Sequence, residues 1–422
     1  MKTVKKHNIK DKIFVHLPAY RDPELVPTIK DCLAQAKYPE RIVFGICRQY
    51  NETDKFDNLD EFRGNKQFKL IEMVYTQAKG LPYARKLINE LITDETYILQ
   101  LDSHHRFVKD WDDTLQQMHL GLEEKGFKPI LTGYLPYYTP KTDPVGRAME
   151  PWQQQFVCFY PHGTIFIRPA LLTGWQQRTE PVPSRFISGH FAFARAKWAK
   201  DVVHDPNIYF SGEEINLTVR SYTHGYDLFH PHKLVIWHST MREERGGILK
   251  WDDDSKNGVK WGEMQDSSRK RIRTLFKVES NSDINLTGYE LGTTRTLADY
   301  EAYAGVNFKD KTVQKYTLEN GFPPTPVDSP WSKSFYHLVN VYNTELPAKD
   351  YKSILIAFDD ENGIGIHSKS IEGQELQNFL KDGRPIHYEE YFQYFDKKPV
   401  KMVAWGYSET RGWAERVEKK IL

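Results

Sequence analysis

Tyr97-Ile98-Leu99-Gln100-Leu101-Asp102-Ser103-His104-His105-Arg106-Phe107 is a run of apolar, strand-forming residues that ends in an Asp and a His two positions apart. A helix-like segment, Tyr83 to Leu91, precedes it. In an open α/β sheet, ligands bind outside the carboxyl ends of the strands, so Asp102 and His104 emerge where a site is expected. A carboxylate oxygen and an imidazole nitrogen separated by one residue can hold one divalent cation from the same side, and such a cation would neutralise a diphosphate. For an isolated Asp-x-His the commoner outcome is a turn cap and a solvated loop histidine. The neighbouring sequence shifts that balance.

Upstream, a first strand is expected over Lys12 to Leu17, ending in His16-Leu17-Pro18-Ala19-Tyr20-Arg21-Asp22. Its helix runs from Pro23 to Ala36, with Leu25, Ile29 and Leu33 as the apolar stripe and Glu24, Pro27 and Asp31 in the first turn and on the solvent face. A second strand, Arg41 to Cys47, ends in Arg48-Gln49, and a third, Phe68 to Val74, leads through Gly80-Leu81-Pro82 into the helix carrying Arg85. Strands alternating with helices at this spacing imply a mostly parallel sheet with right-handed crossovers. No Gly-x-Gly-x-x-Gly follows the first strand and there is no Gly-Lys-Ser/Thr loop, so dinucleotide and P-loop folds lose support. A phosphate would have to be held another way, and a metal on Asp102 and His104 would do it.

Downstream, Phe156 to Ile167 is an aromatic segment that reads as strand or wall. In Phe186 to Arg195, the small residues Ser188 and Gly189 would let a ligand approach the backbone closely. Glu213 and Glu214 open an amphipathic helix with Ile215, Val219 and Tyr222 on one face, ending at His224-Gly225, and an acidic pair there also complements the helix dipole. His230 and His232 flank Pro231 and read as surface residues, whereas His238 closes the apolar run Leu234 to Trp237 and is placed like Asp102. Arg242 to Asn257, with Trp251-Asp252-Asp253-Asp254 read as exposed, is either a loop over the site or a solvated connection. Ser267 to Phe276 reads as a basic helix with a solvated face.

Gly321-Phe322-Pro323-Pro324-Thr325-Pro326-Val327-Asp328-Ser329-Pro330 holds four prolines in eight residues, which marks a linker. The expected division is residues 1–320 as the catalytic domain, 321–330 as linker and 331–422 as a small β-rich domain. In that last part, strands are expected over Ser353 to Phe358, Gly363 to Ile371 and Val400 to Tyr407, with a helix near Gly373 to Leu380. The 58 Lys+Arg balance 57 Asp+Glu, which gives no case for a nucleic-acid partner. The basic start, Met1 to Asn8, is followed only by a short apolar segment, so neither a signal peptide nor a membrane span is expected. Three scattered cysteines, Cys32, Cys47 and Cys158, suit a reducing, cytoplasmic setting.

The order of these pieces, from Ile13 to Thr240, resembles the nucleotide-sugar glycosyltransferases of the GT-A fold, and more closely the GlcNAc-transferase family typified by cytoplasmic enzymes that modify hydroxyproline on Skp1. It is also distantly similar to polypeptide GalNAc-transferases, whose Asp-x-His motif binds the metal. The resemblance implies an α/β Rossmann-like sheet and a metal set of Asp102, His104 and His238. His16, Pro18, Ala19, Tyr20 and Arg21 match the segment that wraps uracil and ribose. Arg48, Gly80, Arg85, Asp102 and Ser103 join them on the nucleotide side. Gly189 and His190 fall beside the donor sugar, Glu213 and Glu214 match the Gly-Glu motif facing donor and acceptor, and the resemblance implies Glu213, Glu214 and His190 as the catalytic residues. The implied activity is a retaining, Mn2+- or Mg2+-dependent transfer from a UDP-sugar, with GlcNAc the best fit, to a hydroxyl of a protein, such as hydroxyproline, or of a saccharide. The chain lacks the membrane anchor and lectin-like cysteine pairs of the GalNAc enzymes, which argues against their role. A metal-dependent hydrolase using the same three ligands, and a non-catalytic sugar- or protein-binding module, are the alternatives.

Overall fold

The computed structural model describes residues 11–240 and 246–421. The basic start Met1 to Asn8 and the first residues of the Arg242 to Asn257 stretch lie outside the described residues. The expected alternation is present: β1 (Ile13–Tyr20), α1 (Leu25–Gln35), β2 (Ile42–Tyr50), β3 (Phe68–Val74), α2 (Leu81–Asn89) and β4 (Tyr97–Leu101). The backbone then turns through Asp102 and His104 into β5 (His105–Phe107) and α3 (Trp111–Glu123). Next come β6 (Pro129–Thr132), the hairpin β7 (Trp152–Phe159) and β8 (Ile165–Leu171), β9 (Val182–Pro183), β10 (Phe191–Arg195), α4 (Lys197–Asp201), α5 (Glu213–Thr223), β11 (Asp227–His230) and β12 (Ile236–His238).

One sheet of eight strands, in the order β3-β2-β1-β4-β10-β6-β11-β9, organises this part. β3, β2, β1 and β4 run parallel, β10 lies antiparallel between β4 and β6, and β6 pairs parallel with β11. The period-2 alternation of β1 sorts its side chains to two covered faces. Ile13, Val15, Leu17 and Ala19 pack with Leu25, Ile29 and Cys32 of α1 and with Trp111 and Leu115 of α3. Phe14 faces Ala84 and Ile88 of α2, Trp198 of α4 and Leu217 of α5 on the other side. At roughly 1.5–3 kcal/mol for each large side chain fully removed from water, these two layers fix the register of β1 and β4. Because the two strands are parallel and paired from Ile13↔Tyr97 to His16↔Gln100, their carboxyl ends open on the same edge.

The helices α6 (Lys250–Lys256), α7 (Trp261–Leu275) and α8 (Leu297–Ala304), the strands β13 (Val306–Asn307) and β14 (Thr312–Gln314), and the short α9 (Lys315–Leu318) follow. The C-terminal part comprises β15 (Trp331–Val341), β16 (Ser353–Asp359), β17 (Gly365–Ile371), α10 (Gly373–Asp382), β18 (Ile386–Tyr394), β19 (Lys401–Ser408), β20 (Gly412–Trp413) and β21 (Val417–Lys420). It is β-rich, as expected, with β16, β17 and β19 to β21 in one sheet and its own core around Phe335, Ile354, Phe358 and Phe379. Residues 321–330 are irregular, but β14 pairs with β15, so the sheet β13-β14-β15-β18 runs across the proline-rich stretch. Among the described residues, no helix is long and apolar enough to cross a membrane.

Three sequence-based expectations are corrected. His230 and His232 are buried rather than on the surface, because β11 sits inside the sheet and His230 Nδ1 lies 3.1 Å from the Thr132 carbonyl. Trp251 to Asp254 belongs to α6, where ion pairing buries Asp253 and Asp254. The basic helix starts earlier, at Trp261, and is solvated on one side only: Arg271 is buried against Asp205, with Ile272 and Leu275 in an apolar cluster.

Candidate functional site

Asp102, the first residue beyond β4, faces His104 and His238 across a cleft. His104 Nε2 lies 3.8 Å and His238 Nε2 3.7 Å from the same oxygen, Asp102 Oδ2. One ligand atom from each of the three residues falls within 4.8 Å of the others. The sequence builds this locally in two steps. The turn after Leu101 throws Asp102 and His104 to one side, and β12 then pairs antiparallel with β5, setting His238 opposite His105. Ser239 N donates to the His104 carbonyl at 3.1 Å, which ties β12 to the turn after β4, and His238 N donates to the Pro136 carbonyl at 2.9 Å.

Each of the three residues is steadied from behind. Arg85, fully buried on α2, donates through Nη2 to Asp102 Oδ1 at 2.8 Å, leaving Oδ2 for the cleft. Burial alone would raise the Asp102 carboxyl, but the facing His238, the charge of Arg85 and the facing His104 hold it well below the usual carboxylate range. His104 Nδ1 donates to Asp22 Oδ2 at 2.6 Å. The His238 ring lies face to face with His190, centroids 4.1 Å apart and planes within 5°. His190 itself accepts from Leu135 N through Nε2 and pairs through Nδ1 with Ser188 Oγ at 3.0 Å, so both its nitrogens are engaged. His105 is likewise committed, accepting from Asp102 N and contacting the Trp237 carbonyl. Burial, reinforced by the neighbouring imidazoles, pushes His105 and His190 well below the usual histidine range. They are neutral at physiological pH, and a site for a cation gains no competing charge from them.

Beneath this layer lies a second one. Arg85 also donates to the Gly189 carbonyl at 2.6 Å and the Leu101 carbonyl at 3.0 Å, and its Nε sits 2.8 Å from Glu213 Oε1 in an ion pair without good hydrogen-bond alignment. Glu213 is buried and its carboxyl is pushed up to about 7 by burial, against the pull of Arg85 and with the push of Asp102 and Glu214. Glu214 is turned differently: it accepts from Gly189 N at 2.8 Å and from Tyr134 Oη at 3.1 Å. The pair at the start of α5 therefore divides, Glu213 bracing the sheet ends and Glu214 holding the wall to which Tyr134 and His190 belong.

The cleft has a volume of about 420 Å3. Pro18, Tyr20, Arg21, Gly80, Asp102, Ser103, His104, His190 and His238 line it, together with the rings of Trp152, Phe210 and Trp251. Helix α6 closes over it: Tyr20 Oη and Arg21 Nη1 donate to Asp253 Oδ2 at 3.0 and 2.7 Å, and Tyr209 Oη donates to Asp254 Oδ2 at 2.6 Å. Gly80 adopts φ +118°, and a Cβ there would meet the Tyr209 carbonyl at 2.3 Å, so only glycine fits this turn. His16, Ala19 and Arg48 are near but behind the wall. His16 Nε2 contacts the Arg85 carbonyl at 3.0 Å, Ala19 is buried in the sheet, and Arg48 is occupied by Asp57 at 2.8 Å and Glu72 at 2.9 Å.

Sequence reasoning missed Asp22, Tyr134 and His105. Asp22 carried a signal, an acid at the end of the first strand, but its partners are 81 and 82 residues away and only the fold shows them.

A sequence model of the family described as Glycosyltransferase (GlcNAc) matches residues 12–63 and 55–310 of the chain. Among curated proteins, none matches. Among solved structures the chain is similar to GalNAc-T7 crystallised with UDP, GalNAc and Mn2+, at 10% identity over 78% of this chain and 64% of that one, with a TM-score of 0.48. It is also similar to residues 1–349 of S. aureus TarS in complex with UDP-GlcNAc, at 14% identity over 55% of this chain and 59% of that one, with a TM-score of 0.35. The chain thus spans a little under two thirds of the length of each.

Proposed function

Because the chain belongs to the Glycosyltransferase (GlcNAc) family, we propose that it transfers GlcNAc from UDP-GlcNAc, with retention at the sugar, to a hydroxyl of a protein or saccharide acceptor. The support is one arrangement: a carboxylate oxygen and two imidazole nitrogens converging within 4.8 Å at the carboxyl end of β4, inside a cleft lined by family-matched residues. A donor set of one carboxylate oxygen and two imidazole nitrogens would suit Mn2+ or Mg2+. Such a cation stabilises the negative charge that develops on the departing UDP.

The chain's own residues do the rest. Tyr20, Arg21, Pro18 and Gly80 bound the end that receives uridine, with Ser103 beside the diphosphate. Arg85 keeps Asp102 ionised and aimed. His190 has no free nitrogen with which to shuttle a proton, so its role is to back His238 and wall the sugar. Glu214 orients Tyr134 and the Gly189 amide along the same wall. Trp152, Phe210 and Trp251 also line the cleft, and their rings suit a pyranose or prolyl ring of the acceptor. The cysteines, all three free and buried, suit a reducing cytoplasmic setting.

The test is UDP release from a panel of UDP-sugars with and without Mn2+, comparing the native chain with Asp102→Asn. Metal-dependent turnover of UDP-GlcNAc, lost in the variant while its melting temperature is kept, is the expected result. No turnover and no thermal stabilisation by any UDP-sugar overturns the proposal.

A further inference from the structure

We infer that Asp22 is the positioning residue that presents His104 to the cation, an inference that rests on the metal-dependent reading above. Asp22 is 5% exposed and sits in the bend between β1 and α1. Its Oδ1 accepts from Glu24 N at 2.9 Å, which pins the carboxylate at the entrance to α1. Its Oδ2 faces the turn after β4, taking the Ser103 hydroxyl at 2.8 Å and His104 Nδ1 at 2.6 Å. The two oxygens therefore have separate duties, one toward its own helix and one toward the candidate ligand.

A carboxylate oxygen can only accept, so the short contact places a proton on Nδ1 of His104. In the neutral ring, Nε2 is then left with its lone pair, and it is Nε2 that looks toward Asp102 Oδ2 across the cleft. A histidine held through its other nitrogen by a carboxylate has a fixed tautomer and ring plane and a more basic ligand atom. The neighbouring His105 shows what the fold does with an imidazole it does not present: its Nε2 accepts from Asp102 N and is unavailable to a cation. Two adjacent histidines are thus sorted by their partners, His104 by Asp22 toward the cleft and His105 by the backbone toward the turn. Asp22 lines the cleft but is turned toward His104, and it acts through that ring rather than on the donor.

Two readouts test this. The first is Mn2+ titrated into the metal-free full chain, with free Mn2+ followed by electron paramagnetic resonance, for the native chain and Asp22→Asn. The second is the His104 tautomer from long-range 1H–15N correlations of histidine-labelled, metal-free protein at about pH 8, where an ordinary imidazole is neutral, assigned with His104→Gln. Asp22→Asn keeps an oxygen for Glu24 N but can turn a donor toward His104. It is expected to weaken Mn2+ about 10- to 100-fold and move the His104 proton from Nδ1 to Nε2, with the metal-free melting temperature little changed. Native-like affinity in Asp22→Asn, or an Nε2–H tautomer in the native chain, overturns the inference. A purely structural role for Asp22 would lower the melting temperature and leave the tautomer as it was, which also overturns it. Should Asp22→Asn fail to fold, the native tautomer decides alone: Nδ1–H upholds the inference and Nε2–H removes it. If the native chain binds no Mn2+, the metal-dependent function fails, while the tautomer still judges whether Asp22 sets the ring.

Discussion

Two residues show how chemistry at the site follows from burial and partners. Of the three proposed ligands His238 comes from farthest along the chain, and His238→Ala leaves Asp102 and His104 facing the cleft. It should lower kcat/KM for UDP-GlcNAc by about 10²- to 10³-fold, the usual effect of deleting one element of transition-state charge stabilisation. The melting temperature of the metal-free chain should move by only a few degrees, and comparable losses in both would mean that His238 serves the fold. Glu213 makes a different prediction. Burial first, and then Asp102 and Glu214 against the opposing Arg85, raise its carboxyl from 4.5 to about 7. The folded chain holds this proton more tightly than the unfolded one, so its contribution to stability is full below about 4.5 and is lost as pH rises through about 7. Glu213→Gln does not titrate, so the stability of the native chain relative to the variant should fall across that window, by roughly 3 kcal/mol at most. Urea unfolding at the two ends of the window measures it, and a constant difference contradicts the assignment. The Asp-x-His pair was legible in the sequence because a strand end and a two-residue spacing are local facts. The division of labour between Glu213 and Glu214 was not, since it is set by Arg85 and Gly189 on other elements.

Among the elements, the strands and helices of the central sheet were the most legible, β3 to the residue, because each is a short apolar run bounded by polar turns. α6 was not. Its Trp-Asp-Asp-Asp sequence reads as solvated, and what buries it is pairing with Tyr20 and Arg21, more than 230 residues away. That pairing gives a prediction at this scale: Asp253→Ala should speed hydrogen exchange in α6 and raise the KM for the UDP-sugar while leaving exchange in β1 and β4 unchanged. Unaltered exchange in α6 would show that the helix is held by something else. The turn into α2 gives another. Gly80→Ala forces a Cβ onto the Tyr209 carbonyl at positive φ, and it should cost roughly 2 kcal/mol or more by denaturant titration and disturb Arg85 with it. A neutral result would mean that the turn relaxes freely.

For the whole molecule, the sequence showed where one part becomes β-rich but not how the parts join. Four prolines in residues 321–330 read as a linker, and the segment is irregular, yet β14 and β15 pair across it. Ser334 Oγ meets Phe159 N and Gln393 meets the Val157 carbonyl, so the hairpin β7–β8 leans on β15 and β18. Long-range strand pairing of this kind has no local signature, whereas a proline run does. A chain ending at residue 330 should therefore melt below the full chain and expose β14 as an unpaired edge, and equal melting temperatures would support an independent C-terminal unit. In the proposed reaction one divalent cation sits between Asp102, His104 and His238 and meets the diphosphate of the donor. Anomalous X-ray diffraction at the manganese edge, from crystals of the full chain soaked with Mn2+ and UDP, tests it most directly. One strong peak is expected within ligand distance of Asp102 Oδ2, His104 Nε2 and His238, with the diphosphate on its open side. A peak elsewhere, or UDP bound in the cleft with no metal beside Asp102, would contradict it.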